Sequence, residues 1–136
     1  MNNCAYDIMF RLSGLIGGTF AGTVNVSGYN YYIFQEPSTP DNCITVYNTG
    51  GEDISCLDGH LAEQCSVQIR VRNNDYTVAR TTIETIRTAL NLTSFTTTQS
   101  AFYNVNRDGL AIDLRRDETN RAIVVQNYNI VRSQLL

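Results

Sequence analysis

CSVQIRVRNNDYTVARTTIETIRTAL, residues 65–90, decides the fold class. In its first eight residues Val67, Ile69 and Val71 point one way and Gln68, Arg70 and Arg72 the other. That is the two-residue period of a half-buried strand. The period changes at Asn74-Asp75, where a side-chain carboxylate can cap a helix. From there Tyr76, Ala79, Ile83, Ile86 and Leu90 recur at helical spacing, predicting an amphipathic helix over 76–90. Asn91 stands at its end as a C′ residue. Arg80 and Glu84, four apart on its outer face, predict a side-chain pair worth about 0.3 kcal/mol.

On the N-terminal side, Asn3 can cap a first helix over 3–16, with Ala5, Ile8, Leu12, Leu15 and Ile16 as its stripe. Gly17-Gly18 ends it, so Gly14-x-x-Gly17-Gly18 reads as a helix stop and not as a phosphate-binding turn. Residues 19–27 alternate as a strand, Tyr29–Gln35 is an aromatic strand or extended segment, and Pro37–Asn42 makes a surface loop. Cys43–Tyr47 is a further strand. Residues 49–65 carry three glycines and four acids without apolar period, and read as one long acidic loop or a hairpin tip.

On the C-terminal side, 95–99 and 102–106 are strand-like, and Asp108-Gly109 signals a turn. Beyond it Leu110, Ile112 and Leu114 alternate with Ala111, Asp113 and Arg115. Arg116–Asn120 is a second turn, and 121–132 a last long strand. Strands run in blocks between two helices. The expectation is one domain spanning 1–136, of class α+β, with a largely antiparallel or mixed sheet and two main helices packed on one face.

Composition removes most chemistry. All ten basic residues are Arg, so no phosphate-loop or Schiff-base lysine exists. His60 is the only histidine, which rules out a multi-histidine metal site within one chain. The net charge of −3 argues against a dedicated nucleic-acid binder. Residues 49–65 carry −4 and residues 66–136 carry +3, so the 49–65 stretch is the acidic pole. No run is apolar enough to span a membrane and no secretory leader is evident, so Cys4, Cys43, Cys56 and Cys65 are expected as free thiols in a reducing compartment.

Cys56, His60 and Cys65, with Cys43, are the one cluster that resembles a metal or nucleophile site. Its Cys-x3-His-x4-Cys spacing lacks the paired knuckle of structural zinc, and no nucleophile motif surrounds any cysteine. Asp113, Asp117 and Glu118 straddle a turn, the setting of solvated acids. The expectation is no catalytic residue, no metal and no cofactor. What remains is surface: Tyr29, Tyr31, Tyr32 and Phe34 crowd one segment, and aromatics at a surface favour protein interfaces. Arg70 and Arg72 project from the polar face of their strand toward solvent or a neighbouring subunit.

Residues 33–51 resemble a segment of small phage proteins in which a Pro-x-x-Pro-Asp-x-Cys-Ile loop, here Pro37 to Ile44, leads into a strand ending in Gly-Gly, here Gly50-Gly51. Val67–Arg72 followed by Asp75-Tyr-Thr-Val-Ala79 fits the same pattern. Over residues 30–90 the chain is similar to the tail terminators of long-tailed bacteriophages, and its flanks agree in element order. The resemblance implies a sheet flanked by helices and a structural protein of the virion tail or neck, made in the host cytoplasm. It further implies a homo-oligomer, a hexameric ring, that caps the tail tube, stops its growth and meets the head connector or stopper. Contractile tails add sheath as a partner, and DNA passes through without specific binding. On this reading Tyr29, Tyr31, Tyr32, Phe34, Arg70 and Arg72 serve subunit or partner contacts. Glu52, Asp53, Asp58 and Glu63 line the lumen or clasp a neighbour, where negative charge would repel phosphate. The alternatives are another neck component, a head-tail connector or stopper, and a small Cys/His metal-binding or enzymatic module.

Overall fold

Val67, Ile69 and Val71 turn inward and are fully buried, as their alternation requires. They lie on β4 (Ala62–Asn73), an inner strand of a seven-stranded mixed sheet. The computed structural model describes residues 3–16, 19–20, 30–54, 62–91, 93–96 and 100–134. The other elements are α1 (Cys4–Ile16), β1 (Thr19–Phe20), β2 (Asn30–Ile33), β3 (Cys43–Ile54), α2 (Tyr76–Leu90), β5 (Thr93–Thr96), β6 (Ser100–Leu114) and β7 (Ala122–Gln134). The class is α+β. The sheet order is β1-β2-β3-β4-β7-β6-β5; β1, β2 and β3 pair in parallel and all other neighbours antiparallel.

One apolar cluster joins the elements. Ala5, Ile8, Met9 and Leu12 of α1 and Ala79, Ile83, Ile86 and Leu90 of α2 meet Ile44, Val46, Val67, Ile69, Val71, Val105, Val124, Tyr128 and Ile130 of the sheet. Tyr76 departs from its expected place in the α2 stripe. It is exposed, and its hydroxyl donates to Asp113 Oδ2 at 2.6 Å. The expected Arg80–Glu84 pair does not form either: Arg80 reaches Asp113 at 3.3 Å and Glu84 takes Arg87 at 2.7 Å. The Leu15 and Ile16 side chains, and residues 21–29, lie outside what the structure describes.

Both helix starts are capped by side chains. Asn3 Oδ1 accepts from Ala5 N at 2.9 Å, and Asn48 of β3 donates to the same oxygen at 2.6 Å. Asp75 accepts from Thr77 N and Val78 N. Asp75→Ala is expected to cost about 1 kcal/mol in urea denaturation with the fold unchanged, because it strips two exposed first-turn amides of their acceptor. Asn91 closes α2 through its N–H to Arg87 O, in an extended and not a left-handed conformation, and its side chain accepts from Arg107 N.

Two expectations change here. Of the two readings of 49–65, a long loop or a hairpin tip, the loop gives way to the hairpin: β3 and β4 stay paired out to Ile54 and Ala62, and 55–61 fall outside the described residues. Thr49 is an extra residue there, since Asn48 pairs with Val67 and Gly50 with Ser66. The turn expected at Asp108-Gly109 is instead a bulge within a continuous β6. Asp108 pairs with Asn127 and Ile112 with Val125, so residues 109–111 all stand against Gln126. Gly109 supplies a φ of +76°, and buried Gln126 donates to its carbonyl at 3.1 Å.

Candidate assembly surface

β5 covers only the first part of β6, pairing between Thr93–Thr96 and Ala101–Val105. From Asn106 to Leu114 the outer side of β6 has no strand partner among the described residues. An open strand edge offers unpaired N–H and C=O groups to another chain. Apolar side chains project beside it: Leu110 is 75% exposed at the crest of the bulge, Ile112 49% and Leu114 40%. Asp113, pointing the other way, is held by Tyr76 and Arg80 of α2. The α2 start adds exposed Val78, and Arg115 and Arg116 follow at the strand's end.

On the sheet face away from the core, Cys43, Thr45 and Tyr47 of β3 stand beside Arg72, Arg70 and Gln68 of β4. The segment 34–42, with its Thr39–Pro40 peptide cis, crosses this face and is gripped by arginines. Arg72 donates to Pro40 O at 2.6 Å and Asp41 O at 3.1 Å, and Arg70 binds Glu36 at 2.9 Å. Arg121 reaches Ser38 O at 2.6 Å and Asp41 at 3.3 Å, while Asp117 holds its Nε at 2.8 Å. Arg72 is therefore buried within its own chain, not presented outward as expected, and Arg70 is half-buried. The aromatic cluster divides by strand alternation: Tyr31 enters the core, Tyr32 is half-buried and Phe34 is 48% exposed. Phe34 has a φ of 60°, rare for a bulky residue, and packs edge-on against Tyr47 at 6.5 Å. Tyr29 lies outside the described residues.

At the opposite end of the sheet the acidic hairpin meets a buried cation. Arg132 of β7, 4% exposed, binds Asp7 of α1 at 3.1 Å and Glu63 of β4 through two nitrogens, and its guanidinium lies 5.8 Å from the Phe102 ring centre. Glu63 is thus a committed ion-pair partner. Glu52 is exposed, Asp53 sits on β3, and Asp58 lies outside the described residues. Beside Arg132 a cavity of about 490 Å3 opens between the α1 start and the hairpin, lined by Asn48, Gly51, Glu52 and Glu63, with Cys4 and Cys65 on its wall. Their sulfurs are 2.6 Å apart.

The Cys43–Cys65 convergence considered from sequence does not occur, because Cys43 pairs with Arg72 and Cys65 with Gly51, far apart along one hairpin. Burial pushes the Cys43 thiol up to about 11, which keeps it protonated. Cys56 and His60 lie outside the described residues, and no three metal-ligating side chains cluster among those described. The acids at the second turn separate: Asp113 serves α2, Asp117 accepts from Thr119 and Arg121, and Glu118 is exposed.

A family model for the bacteriophage tail terminator protein matches residues 12–134, almost the whole chain. The chain belongs to this family. No curated protein matches it. Among solved structures, a chain of the virion of a native gene transfer agent particle is similar, with a TM-score of 0.55 at 14% identity, over 77% of this chain and 78% of that one. At that identity the likeness concerns fold alone. The tail terminator family makes this chain a structural protein of the phage tail, a component of the virion. Among the described residues no helix is long and apolar enough to cross a membrane.

In this tail terminator the surfaces that the sequence reading missed are the β6 edge and the α1 pair Tyr6 and Phe10, the latter 61% exposed. The alternation of Leu110, Ile112 and Leu114 was visible. What hid their exposure was that β5 stops short, which no local pattern records.

Proposed function

We propose that this tail terminator closes into a ring, a hexamer as the resemblance implies, that caps the tail tube, halts its polymerisation and joins it to the head connector or stopper. The observation that carries the reading is the open β6 edge with Leu110, Ile112 and Leu114 in a chain of this family. A ring needs one patch on each copy that meets a different patch on the next, with a rotation that closes. The β6 edge, with Arg115 and Arg116 at its end, supplies one side. The acidic hairpin end with exposed Glu52 offers opposite charge for the other. Both helices lie over one sheet face on this reading, supported by their shared apolar cluster, which leaves the other face for partners.

Phe34 and Tyr32 remain candidates for contact with tube, connector or, in a contractile tail, sheath. Tyr31, in the core, makes no partner contact on this reading, and Arg72 acts through the shape of segment 34–42. Asp53 and Asp58, with Glu52, would face passing DNA or a neighbour's arginines. No bond is made or broken in this role.

The test is native mass of the purified chain with and without tube protein, for wild type and for Leu110→Asp/Ile112→Asp. The wild type is expected to form closed rings and shorten tubes. The variant is expected to assemble at least tenfold more weakly, with unchanged circular dichroism, because it places charge on an apolar contact. A wild-type chain that stays monomeric and never joins tubes defeats the reading. Assembly unaffected by the variant moves the interface elsewhere.

A further inference from the structure

We propose that Cys4 and Cys65 form a convertible pair: two thiols in a reducing compartment, and one disulfide pinning α1 to β4 once the chain meets a small-molecule disulfide. The pair is long-range, its members 61 positions apart in the sequence. Each cysteine sits on a well-packed element: Cys4 opens α1 under the Asn3 cap, and Cys65 pairs with Gly51 and Ile130 in the middle of the sheet. Their sulfurs stand 2.6 Å apart, roughly half an ångström beyond a covalent S–S bond. Closing that gap asks the two sulfurs to approach by about half an ångström. Cys43, the other cysteine described, is at the far end of the hairpin and cannot compete.

Access comes through the cavity. Both cysteines are buried, yet both line it together with exposed Gly50, Gly51 and Glu52, so it is from this side that a small reagent would reach the sulfurs. The surroundings also divide the labour. The hydrogen bond shared by the two sulfurs holds the Cys65 thiol below the ordinary cysteine range and the Cys4 thiol above it. Burial opposes ionisation of both, and the Arg132 guanidinium favours it. Cys65 is therefore the attacking sulfur.

The Cys65 thiolate attacks one sulfur of the reagent R–S–S–R, forming a Cys65–S–S–R bond and releasing R–S⁻, which takes up the proton Cys65 has lost. Cys4 then gives up its proton and attacks Cys65 Sγ, breaking the Cys65–S–S–R bond and expelling the second thiolate, which leaves as R–SH. Two cysteine thiols are oxidised, one reagent disulfide is reduced to two thiols, and both protons are accounted for. In a tail protein this sequence follows release: the thiol form prevails during assembly in the host, the disulfide in the particle outside it. That timing rests on the proposed function; the bond does not. A chain that forms the bond but caps no tubes would overturn the function and leave this inference intact.

The experiment uses the full-length wild-type chain, kept in dithiothreitol or exposed to oxidised glutathione, then alkylated in denaturant and digested without reduction. The expected product is one cross-linked species joining the Cys4 and Cys65 peptides, two hydrogens lighter than their sum and abolished by dithiothreitol. Recovery of both cysteines alkylated, or linked to Cys43, Cys56 or another chain, overturns the proposal. The oxidised chain should also unfold about 5–15 °C above the reduced one. Cys4→Ser, checked for folding by circular dichroism, should show no such rise. An equal rise in Cys4→Ser, or none in wild type, rejects the pin.

Discussion

Arg132→Met should cost about 3–5 kcal/mol, a large part of the 5–15 kcal/mol that holds a typical domain together. Arg132 is almost wholly buried and faces Asp7, itself buried, while binding Glu63 with two nitrogens. Methionine replaces the volume of the stem but leaves the Asp7 carboxylate in the core without its cation. It also severs a link by which one side chain ties α1, β4 and β7 together through charge. Arg132→Lys should recover part of the loss, since an ammonium can pair with one carboxylate but lacks the planar fork that serves both. Urea denaturation of the three proteins measures the series. A loss under about 1 kcal/mol for methionine would mean that Asp7 does not depend on Arg132 for its charge compensation.

Gly51→Ala is expected to cost about 3–5 kcal/mol, against about 1–3 kcal/mol for Gly50→Ala next to it. Both glycines have positive φ, +145° and +120°, so either alanine strains the backbone. They differ in space. A Cβ on Gly50 meets nothing within 4 Å, whereas one on Gly51 falls 2.1 Å from Gln64 O and 2.7 Å from Cys65 Cα. Those are backbone atoms of a paired strand and cannot swing away, so β3 must separate from β4 where Cys65 and the Arg132 cluster are seated. Thermal unfolding of the two variants distinguishes strain from collision. Equal losses would show that the hairpin end yields freely.

The helices and β4 were legible because burial writes a period into the chain: Ile83, Ile86 and Leu90 can share a core only at helical spacing, Val67, Ile69 and Val71 only at strand spacing. The acidic stretch was read as a long loop or a hairpin tip because ladder hydrogen bonds hold β3 to β4 there with no apolar alternation in the sequence to mark the strands. Asp108-Gly109 carries the residues of a tight turn, yet buried Gln126, seventeen positions away, turns that local preference into a bulge. Arg70 and Arg72 occupied the polar side of their strand as expected. Their burial depends on segment 34–42 folding across them, and no spacing within β4 encodes that. Of the interface candidates, the aromatic crowding at 31–34 was plain, but alternation alone assigns Tyr31 inward, and the β6 edge is defined by where a neighbour ends. Cys4 and Cys65 are joined only by topology.

β7 has a temporal consequence. It is the last strand of the described chain, yet it lies in the middle of the sheet, between β4 and β6. While the ribosome is still producing it, β3 and β4 can form a hairpin and β5 and β6 can pair, but no strand yet bridges the two halves of the sheet. Completion of the sheet, burial of Arg132 and support for the β6 edge all wait for the same thirteen residues. A nascent tail terminator therefore cannot present a fully supported β6 edge before β7 has been made.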